Sequence, residues 1–264
     1  MPASTVITRA GRARLLVRLA LGCAAAAGWA SAAAADVAVP FEPLEQHEIE
    51  AGAWSAEMIT DIASGALSSE LQLTRGISDA FAVELEIDGD VGRGRFAVEQ
   101  VGLTALVRLT GDDSAPVAAG AVVKLAAGGD GRFAGAALGL VAERAAGPWA
   151  AAANLMLRER REDGAAGRAL DYAWSLKRRL GAGIALGAEG GGPLANSAAL
   201  GDQRHFIGLS LGYQSDHGRG VARDLAVSLL REASRRGAAA TVLRCAIQFD
   251  FMPRSAWSSH RQLP

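Results

Sequence analysis

Ionisable side chains recur on alternate positions of short apolar runs, and they are the residues whose types and spacing suggest chemistry. Glu70, Glu84, Glu86 and Asp88 occur early, and Arg108, Lys124, Arg144, Arg158 and Lys177 follow in the middle of the chain. If they share an enclosed face, one wall is acidic and the opposite wall basic. Such a set can do two things. It can form internal ion pairs that offset each other's desolvation, or it can line a pore that selects solutes by charge and size. On a soluble fold the same residues would only be a solvated face. Catalysis and metal binding find no support. His47, His205, His217 and His260 are scattered, and none forms a metal pair at helical or hairpin spacing. Ser258-Ser259-His260 is the only close Ser/His pairing, and it lies beyond the last apolar run. Gly187 to Gly192 is glycine-rich but lacks the Lys-Ser/Thr ending of a phosphate loop. His205 shares parity with Ile207 and Leu209, and Cys245 with Leu243 and Ile247, so both read as members of an apolar face. No enzymatic activity, cofactor or metal is expected.

The elements that must position the charged set are strands. Phe81, Val83, Leu85 and Ile87 alternate with Ala82, Glu84, Glu86 and Asp88, and Leu67 to Thr74 does the same on the other side of a Gly76–Asp79 turn. A strand sends successive side chains to opposite faces, so this is a hairpin with one apolar and one polar face. The pattern recurs at 101–109, 117–126, 133–144, 149–160, 170–177, 184–189, 207–213, 225–229 and 243–251, with 47–54 as a first strand and a short helix as the competing reading at Leu225 to Ser234. That predicts about twelve strands within residues 46–251. An all-β, antiparallel, up-and-down transmembrane barrel in a single domain, 36–264, fits this pattern, with a short tail at 252–264. If its first strand rises from the periplasm, turns after even-numbered strands should be short. Gly76–Asp79, Ala145–Pro148 and Arg179–Gly183 obey, with Ala56–Ala66 and Gly190–Asp202 as longer external loops; Ala127–Arg132 and Gln214–Arg223 do not fit.

The amino-terminal segment sets the compartment. Arg9, Arg12, Arg14 and Arg18 precede and enter an apolar stretch that ends in small residues, Ser31 to Ala35. This is the layout of a signal peptide, 1–35, cleaved before Asp36; Ala20-Leu21-Gly22 makes a poor lipobox for Cys23. Its removal takes four arginines from a chain of formal charge −1, leaving −5 on residues 36–264. A mildly acidic chain without a basic run argues against nucleic acid as a partner. Only Cys245 remains after cleavage, so no intrachain disulfide can form.

Alternation does not say which face is inside. A soluble barrel or sandwich that binds an apolar ligand would bury the apolar face, whereas a membrane barrel inverts it. Export, an even strand number and the ending Phe249-Asp250-Phe251 favour the membrane. That ending resembles the carboxy-terminal aromatic signal through which bacterial outer-membrane proteins reach the barrel-assembly machinery, although Met252–Pro264 follow it here. Aromatic residues make up only 5% of the chain, so interfacial girdles would be thin, with Trp54, Trp149 and Tyr213 near strand ends.

Three stretches carry a family resemblance: Glu48-Ile49-Glu50-Ala51-Gly52, the hairpin from Glu70 to Leu85, and Trp174-Ser175-Leu176-Lys177-Arg178-Arg179-Leu180. They resemble the MetA-pathway phenol-degradation family of outer-membrane barrels. The resemblance implies passage of small hydrophobic or aromatic solutes and carries over no defined site residue. The expected partners are outer-membrane lipid, the barrel-assembly machinery at Phe251 and small solutes. A purely structural outer-membrane role and a soluble ligand-binding role stand as alternatives.

Overall fold

The structure, a computed structural model, describes residues 51–251 apart from 64–65, 93–94, 111–116, 163–164, 197–203, 217–220 and 234–238. Residues 1–50, which include the expected signal segment and the start of the expected first strand, and residues 252–264 lie outside the described residues. Twelve strands follow one another: β1 (Trp54–Ala63), β2 (Ala66–Ser78), β3 (Phe81–Gly92), β4 (Arg95–Arg108), β5 (Ala118–Gly128), β6 (Phe133–Ala146), β7 (Trp149–Glu162), β8 (Ala165–Gly181), β9 (Ile184–Asn196), β10 (Phe206–Asp216), β11 (Val221–Glu232) and β12 (Thr241–Phe251). Each pairs antiparallel with its sequence neighbours, and β1 pairs with β12 from Trp54↔Phe251 to Ala63↔Val242. The sheet is therefore a closed barrel without an edge.

The period-two pattern reappears as burial. On β2, Leu71, Leu73, Arg75 and Ile77 are exposed while Thr74 and Gly76 are buried. On β6, Leu138 and Leu140 face out and Ala137, Gly139 and Val141 face in. The outer surface is strongly apolar: Leu209 is 68% exposed, with Leu103, Leu125, Leu138, Leu140 and Leu229 all more than half exposed. Large contiguous apolar surface of this kind is not left to water. The interior is mixed. Small and apolar side chains of Ala82, Leu106, Val122, Ala137, Val141 and Met156 pack along the inner wall of β3–β7. A second group, Ala63, Phe206, Leu230 and Val242, packs inside β1 and β10–β12.

Three expectations need correction. The first strand among the described residues is β1, Trp54–Ala63: within the expected strand 47–54, Ala51 and Gly52 form a turn, and most of the expected Ala56–Ala66 loop is strand. Here Gly52 N–H donates to Gly76 O at 2.8 Å and Gly76 N–H to Ala53 O at 3.0 Å, tying that turn to β2. Gly190 to Asn196, expected in an external loop, belongs to β9, whereas the strand reading at Leu225 holds over the helical one, since both edges of β11 are claimed by β10 and β12. The long Gln214–Arg223 connector shrinks to residues 217–220, because β10 and β11 each run further than the apolar pattern indicates.

The β8–β9 turn shows what a tight link costs. Ala182 and Gly183 have φ of 53° and 77°, the left-handed region. A Cβ on Gly183 would lie 2.0 Å from the carbonyl oxygen of Gln214, whose own N–H donates to Gly183 O at 2.7 Å. Gly183→Ala must therefore move backbone as well as strain φ. It is expected to destabilise the barrel by about 1–3 kcal/mol, read as a lower urea midpoint for the folded form.

Candidate functional site: the barrel interior

Hairpin register decides which inward-facing groups meet. β2 and β3 pair Thr74 with Glu84, Gln72 with Glu86 and Glu70 with Asp88, so four carboxylates and two neutral partners share one patch of inner wall. Thr74 Oγ1 donates to Glu84 Oε2 at 2.9 Å, and Gln72 Nε2 donates to Glu70 Oε1 at 2.6 Å. From β4, Gln100 Nε2 donates to Asp88 Oδ2 at 3.2 Å. One carboxylate oxygen from each of Glu70, Glu86 and Asp88 falls within 4.8 Å of the others. A concentration of like charge in a confined space needs a cation close by, and the chain supplies one.

That cation is Lys124. It starts on β5, two strands from Glu86, and its ammonium is ion-paired with Glu86 Oε1. The path runs diagonally over Gly102, the β4 residue registered with Glu86 and two residues from Thr104, which is registered with Lys124. A Cβ on Gly102 would meet Lys124 Cε at 3.0 Å and Glu86 Cβ at 3.4 Å, so a bare backbone is what lets the lysine lie flat against the wall.

Two further pairs brace the interior. On β7, Arg158 Nε donates to Asp171 Oδ2 of β8 at 2.5 Å, and Asp171 is 1% exposed. At the seam, Arg244 of β12 makes a bidentate pair with Asp61 of β1, Nε to Oδ1 and a second guanidinium nitrogen to Oδ2, each at 2.9 Å. Thr104 Oγ1, Ser210 Oγ and Glu189 Oε1 are buried with no partner among the described residues. A hydrated lumen satisfies such groups with solvent.

The charged set predicted from sequence is thus redistributed. Glu84 and Glu86 are buried, Glu70 and Asp88 half-buried, and all four stand on inward-facing positions. Arg108, Lys124, Arg158 and Lys177 also occupy inward-facing positions of β4, β5, β7 and β8. Arg144 does not: it is exposed, on the parity of Leu138 and Leu140, because its neighbour Glu143 takes the inward position at that end of β6. The walls are not simply opposed either, since Lys124 reaches back to the acidic patch and Arg158 has its own aspartate. Asp61, Asp171 and Arg244 are the residues that the sequence reading missed. His205 keeps to the outer face, where its Nδ1 lies 3.1 Å from the Tyr172 hydroxyl.

A closed twelve-strand antiparallel barrel, apolar outside and polar and ion-paired inside, is a known architecture. This chain has the fold of outer-membrane porins. A KdgM porin superimposes with a TM-score of 0.54 at 12% identity, over 75% of this chain and 99% of the porin. A NanC porin gives 0.52 at 9% identity, over 74% and 98%. An outer membrane channel from Pseudomonas putida F1 gives 0.51 at 13% identity, over 79% and 99%. No family model and no curated protein matches the sequence. The likeness to the MetA-pathway family therefore rests on the residues quoted for it, while the coarser assignment, a porin-type barrel, rests on the fold.

Proposed function

We propose that this chain is a bacterial outer-membrane channel, exported by a signal peptide cleaved after Ala35, that passes small solutes passively through its lumen. The observation that carries this reading is the inversion of the barrel: leucines cover its outside while carboxylates, arginines and two lysines face inward. Outer-membrane lipid would cover the leucines. The terminal strand, ending at Phe251 and paired to β1, would be the segment offered to the barrel-assembly machinery.

Wall charge suggests what crosses. Glu70, Glu84 and Asp88 add to a patch in which only Glu86 is paired with a lysine. Among the described residues, inward-facing carboxylates, with Glu57, Glu143 and Glu189 among them, outnumber the inward-facing bases. A KdgM porin has been solved with oligogalacturonate. A polyanion of that kind suits an acidic wall poorly, and neutral or cationic small molecules suit it better. The resemblance to the phenol-degradation family supports neutral aromatic solutes within that class.

The protein should fractionate with the outer membrane and migrate differently on a gel when boiled. In planar bilayers it should conduct, and under a salt gradient its reversal potential should lie on the cation side. Recovery from the soluble periplasm without detergent would sink the membrane reading. A folded, inserted but silent barrel would leave the structural alternative, which the buried pairs Arg158–Asp171 and Arg244–Asp61 favour as braces of a filled interior.

A further inference from the structure

The outer face of the barrel is asymmetric in charge. At the rim where β1 begins and β12 ends, every charged residue on an outward-facing strand position, among the described residues, is an arginine; the exposed carboxylate of Asp79, in the β2–β3 turn at this rim, accepts a hydrogen bond from Ala51 N–H at 3.1 Å. Arg75 of β2, Arg144 of β6, Arg178 of β8 and Arg223 of β11 are all exposed. Three of them are registered directly across from an aromatic ring: Arg75 from Trp54, Arg178 from Trp149 and Arg223 from Phe249. The guanidinium carbons lie over these rings at 4.9, 5.4 and 5.6 Å from the centroids. No carboxylate partners the guanidinium groups of these three among the described residues. The opposite rim differs. There Glu159 and Arg168 pair across β7–β8 at 3.2 Å, so outward charge is of both signs and in part neutralised.

We infer that the arginines and aromatic rings of this rim form a binding girdle for the phosphate headgroups of anionic phospholipids. The inference rests on the membrane reading above and goes beyond it by naming the lipid and the residues. Its logic is charge complementarity. An aromatic ring at the end of an apolar band sits at headgroup depth. A guanidinium stacked on such a ring is held in place by its π-face and keeps its N–H fork free. That fork matches two oxygens of one phosphate. With several such sites around the barrel and no acid on the strand positions that carry them, a net-negative headgroup neutralises the rim, whereas a zwitterionic one brings its own cation into a ring of net positive charge.

The test uses the folded full chain in lipid vesicles and the intrinsic fluorescence of its tryptophans, of which Trp54 and Trp149 belong to the girdle. Phosphatidylcholine vesicles are doped with acyl-brominated phosphatidylglycerol or, in parallel, with acyl-brominated phosphatidylcholine, and quenching gives the relative association of each lipid. The expected result is a preference for phosphatidylglycerol of roughly fivefold or more. The preference should weaken in high salt and disappear in a variant carrying Arg75→Gln, Arg144→Gln, Arg178→Gln and Arg223→Gln. Lysines at the same positions should retain part of it, and Arg231→Gln, at the opposite rim, should leave it unchanged. Heat-modifiable migration shows whether each variant is folded; if the fourfold variant is not, the single variants Arg75→Gln and Arg178→Gln must each lower the preference. Equal association of both lipids with an inserted wild-type barrel overturns this inference alone. A chain that does not insert into phosphatidylcholine at all overturns the membrane reading, and this inference with it.

Discussion

Arg244→Met is expected to destabilise the folded barrel by about 3–5 kcal/mol, because it leaves the largely enclosed Asp61 carboxylate without its cation. Arg244 and Asp61 have side chains only 7% and 12% exposed, and their two hydrogen bonds are the fork-to-carboxylate kind, with both Asp61 oxygens used. The pair also occupies a special place. It joins β12 to β1, strands whose contacting residues are 183 apart in sequence, and so spans the seam at which the barrel closes. Arg244 stands in register with Ser228 of β11, whose hydroxyl is buried beside it. Removing both partners is a different matter from removing one. Arg244→Met combined with Asp61→Leu takes away the stranded charge and replaces it with apolar volume, which is often neutral. Urea unfolding of the vesicle-inserted protein should therefore show a large drop for Arg244→Met, a comparable drop for Asp61→Leu, and a loss for the double variant well below the sum of its parts. Equal and additive losses would mean that the pair contributes through packing alone.

The seam pair shows why the sequence discloses strands more readily than sites. Alternation is local, so β2 to β12 are legible from runs such as Phe81–Asp88 and Leu243–Phe251. β1 is the exception. Its inward positions include Ile59 and its outward positions Thr60, so the apolar–polar contrast that marks the other strands is broken, and a better alternation just upstream, at His47–Trp54, competes with it. Leu225, Leu229 and Leu230 fit a helical spacing as well as a strand, and only pairing to β10 and β12 decides between them. Ion pairs are harder still, since they depend on register between strands. Arg158 is registered with Ala169, and its partner Asp171 is two residues along β8, a diagonal contact that no single-strand pattern reveals. Lys124 reaches Glu86 across an intervening strand because residue 102 is glycine. Asp61 and Arg244 meet only once the whole sheet has closed. Arg144 illustrates the opposite error. It adjoins Glu143, so one of two charged neighbours must face out, and composition alone does not say which.

Leu140→Arg should separate the membrane barrel from a soluble one more sharply than any change inside it. Leu140 lies near the middle of β6, 57% exposed on the outer face, and its neighbour Val141 is 1% exposed within the inner-wall group of Leu106, Val122 and Met156. An arginine at an exposed position of a water-soluble barrel changes stability by about half a kcal/mol at most. The same arginine facing hydrocarbon near the bilayer midplane costs about 2–4 kcal/mol. Val141 provides the control, because a charge there is buried in both settings and is costly in both. The pair therefore isolates the medium against the outer wall from the general cost of a charged substitution. Urea titration in vesicles should give Leu140→Arg a deficit of the membrane size, and moving the arginine to Leu180, 57% exposed beside the β8–β9 turn, should shrink that deficit because the side chain reaches the headgroups. A Leu140→Arg barrel as stable as wild type would show that water, not lipid, covers those leucines, and would move the polar interior from a lumen lining to the packed core of a soluble protein.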